Sequence, residues 1–154
     1  MVGFLDRILR REPPLVVDHP YFGKVRYFRG KAGESGRWEG ELVIPGLKEK
    51  LGLVIPATEA GPTGPQVSFC RTVLADLDAL FERCRPLFAG EFERRAEKPF
   101  PADWRAEFDL RALDLPPNGD ERRPWSVRYF VEAAHHSFTA QFEYGKATTL
   151  TVDG

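Results

Sequence analysis

Apolar and polar residues alternate along several short segments of this chain, the pattern of strands with one buried and one wet face. In residues 37–45, RWEGELVIP, one parity carries Trp38, Gly40, Leu42 and Ile44 and the other is mainly charged. Residues 125–133 and 137–144 alternate in the same way, with buried faces predicted at Trp125, Val127, Tyr129 and Val131, and at Phe138, Ala140, Phe142 and Tyr144. With weaker patterns at 21–29, 51–58, 108–115 and 147–154, the sequence predicts about seven strands.

The middle of the chain changes to the three- and four-residue spacing of an amphipathic helix. Thr63 and Gln66 have the spacing of a capping box, which satisfies backbone donors at a helix start. Pro86 is expected to end or kink this helix, and a more polar helical segment continues towards Lys98. The apolar positions of the first segment are Phe69, Val73, Leu74, Leu77, Leu80, Phe81 and Cys84.

This order of elements, βββ-αα-ββββ, predicts an α+β fold in two layers. Strands and helices that are segregated along a chain favour a mainly antiparallel sheet with helices packed on one face. Residues 15–154 are expected to form that single domain. Residues 1–14 contain an amphipathic helix, with Phe4, Leu5, Ile8 and Leu9 on one side, which we expect to dock on the core; a membrane surface is the alternative.

Composition restricts the class of function. The chain has 154 residues and a formal net charge of −1, and its basic clusters are neutralised locally, as where Arg122 and Arg123 follow Asp120 and Glu121. Binding to nucleic acid needs a surplus of cations, so no nucleic-acid partner is expected. No apolar run approaches the roughly 20 residues of a membrane span, and the N-terminus lacks a secretory cleavage site, so we expect a cytoplasmic protein without integral membrane association.

The cysteines and His19 look structural in the sequence. Cys70 and Cys84 fall on one predicted helical pattern, about 21 Å apart at 1.5 Å per residue, so they cannot pair with each other. Neither lies beside a histidine or in a CxxC motif. His19 precedes Pro20, which favours an extended backbone and a role as the first residue of a strand. The sequence contains no phosphate-binding, dinucleotide-binding or zinc motif, and we expect no cofactor, no metal and no assigned catalytic residue.

One cluster leaves enzymatic chemistry open. If the strand that begins at Trp125 continues through the histidine pair, Arg128, Glu132 and His136 share one parity and line the polar face of the sheet. A carboxylate beside an imidazole suits acid–base catalysis near neutral pH. The alternative is a solvated sheet face with no catalytic role.

Several short motifs together resemble a group of poorly characterised bacterial domains. These domains have an FG-containing strand, a W-x-G strand, a P-x-x-x-Q helix junction and a terminal G-K hairpin. The corresponding pieces here are Phe22-Gly23, Trp38 with Gly40, Pro62 with Gln66, Gly145-Lys146 and residues 152–154. Some members resemble immunity proteins, which neutralise a toxin from a rival or sibling cell. The resemblance implies a protein partner, while the missing acidic surplus argues against a basic nuclease as that partner.

The sequence therefore favours a small protein that binds another protein without catalysis, and the resemblance implies the immunity type. The alternative function is that of a hydrolase or small-molecule-binding domain that uses Arg128, Glu132 and His136. The identity of the partner, the strand order and the oligomeric state do not follow from the sequence.

Overall fold

A computed structural model describes residues 15–32 and 34–154. In this part of the chain, eight strands form a single sheet in their sequence order, β1-β2-β3-β4-β5-β6-β7-β8. Their bounds are Val16–His19, Gly23–Phe28, Arg37–Leu42, Leu51–Pro56, Phe108–Asp114, Trp125–Val131, His136–Glu143 and Lys146–Asp153 for β1 to β8. The predicted α+β class with a mainly antiparallel sheet is confirmed.

All neighbouring strands are antiparallel except β4 and β5, which run parallel. Parallel neighbours need a crossover, because the chain must return to the end of the sheet where the first strand began. Two helices provide it here, α1 (Gly64–Leu74) and α2 (Leu77–Ala96), followed by a 3₁₀ turn at Trp104–Ala106. The helices thus separate two antiparallel four-stranded halves.

The helical region differs from the prediction of one helix that Pro86 ends or kinks. The first helix ends at Leu74, and the backbone leaves helical geometry at Asp76, whose side chain starts α2 by accepting a hydrogen bond from the backbone N–H of Ala79 at 2.9 Å. The second helix then runs through Pro86 to Ala96 without ending there. The predicted capping box of Thr63 and Gln66 is confirmed.

The core lies between the helices and one face of the sheet. An aromatic cluster fills its centre: the ring of Phe81 stacks on Trp104 with centroids 5.0 Å apart, and Phe88 stacks on Phe108 at 5.6 Å. Tyr129 meets Phe81 and Phe88 edge to face. Aromatic pairs in such geometries add to the stabilisation that comes from burial alone. Large side chains of α2 therefore cover this face by packing onto β5, β6 and β7, and α2 also lies close against β8.

Two details of the strands correct the sequence prediction. The count of about seven strands is one short, because Val16–His19 forms a separate edge strand before a turn at residues 20–22. Tyr144 does not share the buried face of Phe138, Ala140 and Phe142. It lies in the turn that leads to Gly145, with a left-handed φ of 52°, and its side chain is 78% exposed. The amphipathic helix predicted within residues 1–14 lies outside the described residues.

Candidate functional site on the open face of the sheet

The sheet face opposite the core carries neither α1 nor α2, and we call it the open face. Its outward residues are mainly polar, because the apolar parity of each strand points to the core. Those at the centre of the open face are Arg37, Glu39 and Glu41 of β3, Gly52 and Val54 of β4, Asp109, Arg111, Ala112 and Asp114 of β5, Ser126, Arg128 and Phe130 of β6, and Ser137, Thr139 and Gln141 of β7.

A β-bulge in β5 places Arg111 on this face. The pairing of β5 with β6 shifts between Leu110 and Ala112, so that Leu110 and Leu113 are both buried with two residues between them. A bulge of this kind re-aims a side chain and is common beside functional sites. The Arg111 guanidinium lies over the ring of Phe130, 5.4 Å from its centroid.

The Phe130 ring and the Asp109 carboxylate hold the Arg111 side chain from two sides. Its Nη2 atom lies 3.7 Å from Oδ2 of Asp109 in an ion pair on the same strand. Its Nε atom is buried and has no hydrogen-bond partner within the described chain. A buried guanidinium N–H without a partner loses hydration without compensation, so the site retains an unused donor.

Arg128 lies on the neighbouring strand, directly opposite Ala112 of β5 and Thr139 of β7. Its side chain is exposed and makes no ion pair within 4.0 Å to any described residue. Desolvation raises the pKa of Asp114 nearby, and the positive charge of Arg128 opposes that rise. As far as residues 15–32 and 34–154 show, Arg128 is thus a charged donor that can bind a ligand or partner.

Arg111 and Arg128 border a shallow depression of about 590 Å³ in the open face. Lys50 adds a third cation, although its Nζ atom lies 3.9 Å from Oε2 of Glu41. The complete lining is Glu41, Glu49, Lys50, Gly52, Arg111, Arg128, Phe130 and Ser137. The floor therefore combines one aromatic ring with guanidinium and ammonium groups, while carboxylates stand at one side.

A second arginine–aromatic pair lies on the same face, at the end of β2 and the start of β3. Phe28 and Arg37 are directly opposite each other, and the guanidinium of Arg37 lies over the Phe28 ring at 5.0 Å from its centroid. The Nε atom of Arg37 also lies 3.7 Å from Oε1 of Glu39. Cation–π contact orders long arginine side chains that would otherwise be mobile in water.

His19 has a structural role. It is the last residue of β1, not the first residue of a strand as the sequence suggested. Its Nδ1 atom accepts hydrogen bonds from the backbone N–H groups of Tyr21 and Phe22, at 3.0 and 3.1 Å. The imidazole thereby closes the turn between β1 and β2, and its packing lowers the pKa of His19 through desolvation.

The predicted trio of Arg128, Glu132 and His136 is not brought onto one strand face. Strand β6 ends at Val131, and Glu132–Ala134 forms a 3₁₀ turn. His135 then takes a left-handed φ of 53°, and His136 begins β7 opposite Val131. Because Val131 points to the core, His136, which lies opposite it, is on the core face of the sheet. Arg128 is on the open face. The three residues would share one face only if a single strand ran without interruption from Trp125 through His136.

The cysteines are buried in the core on two different helices, Cys70 on α1 and Cys84 on α2. Burial raises the pKa of the Cys70 thiol to about 11 and that of Cys84 to about 12. A thiol with such a pKa is almost entirely protonated near neutral pH and is a poor nucleophile. These residues stabilise the interior.

A separate groove of about 690 Å³ lies between α1 and α2 on the helical side. Phe69, Val73 and Leu80 form its apolar floor, and Arg83 stands at its rim. The guanidinium of Arg83 donates to the backbone oxygen of Gly145 at 2.7 Å and lies over the ring of Phe142. Since these contacts join α2 to the β7–β8 turn, Arg83 stabilises the packing of the helix layer on the sheet.

Within residues 15–32 and 34–154, no group of three or more His, Cys, Asp and Glu side chains is arranged to hold a metal ion. The same ranges contain no helix with the length and apolar character of a membrane span. No protein family, curated protein or solved structure matches the chain. The resemblance to bacterial immunity-type domains therefore stays a prediction.

Proposed function

We propose that this protein works by binding a protein partner through the open face, with Arg111, Arg128 and Phe130 at the centre of the contact. The observation that carries the proposal is Arg128, which is exposed and has no ion pair with any described residue, beside a guanidinium that is already stacked on an aromatic ring. Arginine and aromatic residues are enriched at protein interfaces and among the residues that dominate binding energy.

The stacked arginines lower the cost of binding. Ordering a long side chain at an interface costs roughly 0.5–1.5 kcal/mol in lost rotamer freedom. Arg111 and Arg37 are each placed over a phenylalanine ring before any partner arrives. Because this ordering is already complete, more of the contact energy contributes to affinity.

The charges of the open face define the partner's chemistry. Glu39, Asp109 and Glu41 form ion pairs with Arg37, Arg111 and Lys50, and Asp109 is shared with Lys48. Among the three cations that line the depression, Arg128 is then the one without an ion pair to a described residue, and a bidentate pair with a partner's carboxylate would give orientation as well as energy. A toxin is the partner class that the sequence resemblance implies, and the nearly neutral net charge favours a toxin that is not a strongly basic nuclease.

A capture experiment with matched variants tests the proposal. The tagged protein, its Arg128→Ala variant and its Phe130→Ala variant are incubated with lysate of the organism that encodes the chain, and salt-washed partners are quantified by mass spectrometry. Arg94→Ala is the control, because Arg94 is an exposed arginine on α2, which packs against the opposite face of the sheet.

The proposal predicts a stoichiometric partner that the wild type and Arg94→Ala retain and that both open-face variants lose. Circular dichroism melting curves establish that the variants are folded. Retention of the same partner by Arg128→Ala and Phe130→Ala contradicts the proposal, as does its loss from Arg94→Ala alone.

A small anionic ligand is the second candidate, favoured by the three cations that line the depression, Lys50, Arg111 and Arg128. Thermal denaturation in the presence of inorganic phosphate or citrate separates the two proposals. A rise in melting temperature that Arg128→Ala removes supports the small anion. No rise, together with capture of a partner, supports the protein interface.

A further inference from the structure

The last strand forms a long free edge of the sheet. Strand β8 (Lys146–Asp153) pairs with β7 on one side, and no strand in the described part of the chain lies on its other side. An unpaired edge presents a row of backbone N–H and C=O groups that can pair with another strand. Proteins usually protect such edges with proline, inward charges or short strands. Strand β8 has eight residues, no proline and charges only at its two ends, Lys146 and Asp153.

A bulge in β8 decides which residues share a face. Gln141 of β7 is opposite Thr149, but the next residue, Phe142, is opposite Ala147, so Thr148 is an extra residue in β8. Ala147, Leu150 and Val152 therefore all take the parity of the core face, and each is partly buried against the core. The residues on the open-face side are Lys146, Thr149, Thr151 and Asp153.

We propose that β8 pairs antiparallel with β8 of a second copy of this chain, about a two-fold axis at Leu150. Leu150 is then opposite the second Leu150, and Thr149 is opposite Thr151. Beyond Thr149, the extra residue Thr148 shifts the pairing by one position, which brings Ala147 opposite Val152 and Lys146 opposite Asp153. Every pair joins residues of the same face, as antiparallel strands require.

The charges and side chains of β8 make this strand complementary to itself. A two-fold interface must match one surface patch with an identical patch. In this register, both ends carry a Lys–Asp pair, the open-face row pairs threonine with threonine, and the core-face row pairs aliphatic residues. Without the bulge, Lys146 would stand opposite Gly154 and the charges would not match. The two sheets then join into one continuous sheet with eight strands from each copy.

Charge exchange at the strand ends tests this register. Sedimentation equilibrium of the wild type is expected to show twice the chain mass of 17.5 kDa. Lys146→Asp places Asp opposite Asp, and Asp153→Lys places Lys opposite Lys. Like charges directly opposite each other destabilise a strand pair. The dimer of each single variant is therefore expected to dissociate at protein concentrations at least about fivefold higher than the wild-type dimer does. The double variant K146D/D153K restores opposite charges and is expected to recover the dimer.

Single-cysteine cross-linking locates the axis. Directly opposite residues have Cα atoms about 4.5–5.5 Å apart, within the range that a disulfide spans. Leu150→Cys is therefore expected to form a disulfide-linked dimer under mild oxidation, while Cys70 and Cys84 stay buried. Lys146→Cys is the control, since two residues at opposite ends of the interface are about 20 Å apart.

A monomeric mass for the wild type at about 100 µM overturns the proposal. A dimer that neither responds to the single charge variants nor cross-links through residue 150 also overturns it, since that dimer would use another surface. These outcomes are independent of the open face, because neither charge variant nor cysteine variant alters Arg111, Arg128 or Phe130.

Discussion

The side-chain amide of Gln66 donates a hydrogen bond to the backbone oxygen of Pro56 at 2.7 Å, which ties the start of α1 to the end of β4. The same side chain accepts a hydrogen bond from the backbone N–H of Thr63 at 2.9 Å. Gln66 is fully buried. One residue therefore completes the helix cap and fixes the position of the helix over the sheet.

Replacement of Gln66 by methionine is expected to lower the free energy of unfolding by about 2–3 kcal/mol. Methionine has a similar volume but leaves the Pro56 oxygen and the Thr63 N–H without this partner, and an unsatisfied buried polar group costs about 1–3 kcal/mol. Guanidinium denaturation measures the loss. Gln66→Glu is expected to cost more, since it keeps an acceptor for Thr63 but places a buried carboxylate against the backbone oxygens of Pro56 and Pro116. A methionine variant as stable as the wild type would show that this hydrogen bond has no net effect.

Stability should fall in acid partly through Asp78. Hydrogen bonds from the Nε1 atom of Trp104, at 2.7 Å, and from Arg105 hold the pKa of Asp78 below its ordinary value of 3.8. A carboxyl group with a lowered pKa in the folded state stabilises the protein above its unfolded pKa, and that contribution is lost as the pH falls through the lowered value. The wild type is therefore expected to exceed Asp78→Asn in unfolding free energy at pH 7, and the difference should shrink below pH 3.8. A difference that is constant with pH contradicts this.

Pro86 lies inside α2 and is exposed, so its replacement by alanine should stabilise the protein. Proline is about 3 kcal/mol less favourable than alanine in a helix interior, because it lacks an N–H for the preceding turn. Its restriction of the unfolded chain offsets about 0.4–1 kcal/mol of that penalty. Pro86→Ala is expected to raise the unfolding free energy by about 2 kcal/mol in urea denaturation. A loss of stability would instead show that the proline geometry is needed to seat Phe88 and Phe92.

The two cysteines should be unreactive in the folded protein. With pKa values of about 11 and about 12, Cys70 and Cys84 hold a thousandth or less of their thiol as thiolate at pH 8. Reaction with a chromogenic disulfide reagent at pH 8 is expected to be at least about a hundredfold slower in the native protein than in guanidinium. Fast labelling of one thiol without denaturant would reveal local opening of its helix.

The faces of the later strands could be predicted from the sequence because their two sides differ in solvent exposure. Trp125, Val127 and Tyr129 alternate with polar residues and are all buried. Strand β1 gave no such signal, because Val16 and Val17 are both apolar and both about two-fifths exposed. An edge strand of four residues buries too little surface to impose a pattern on its sequence.

The helix break was missed because helical spacing continues across it. Leu74 and Leu77 are three residues apart, as they would be within one helix, although the chain turns at Asp76. The sequence does contain a signal for the break at Asp76, since aspartate is a favoured residue at a helix start. Hydrophobic spacing alone does not distinguish one helix from two that bury the same side.

The candidate site was only partly predictable. Arg128 was placed correctly on a polar sheet face, whereas its partners on that face come from β5 and from the end of β6 rather than from Glu132 and His136. The imperfect alternation between Leu110 and Leu113 was the sequence signal of the bulge that presents Arg111. The crossover of the helices places β4 beside β5, which brings Gly52 of β4 into the depression with Arg111, and local sequence patterns do not specify that pairing.

Calorimetric titration of the purified partner into the wild type, Arg128→Ala and Arg94→Ala tests the central claim most directly. If the open face is the binding surface, Arg128→Ala loses at least tenfold in affinity, equivalent to about 1.4 kcal/mol, while Arg94→Ala matches the wild type. Equal affinity for the wild type and Arg128→Ala would place the partner elsewhere on the molecule and contradict the account.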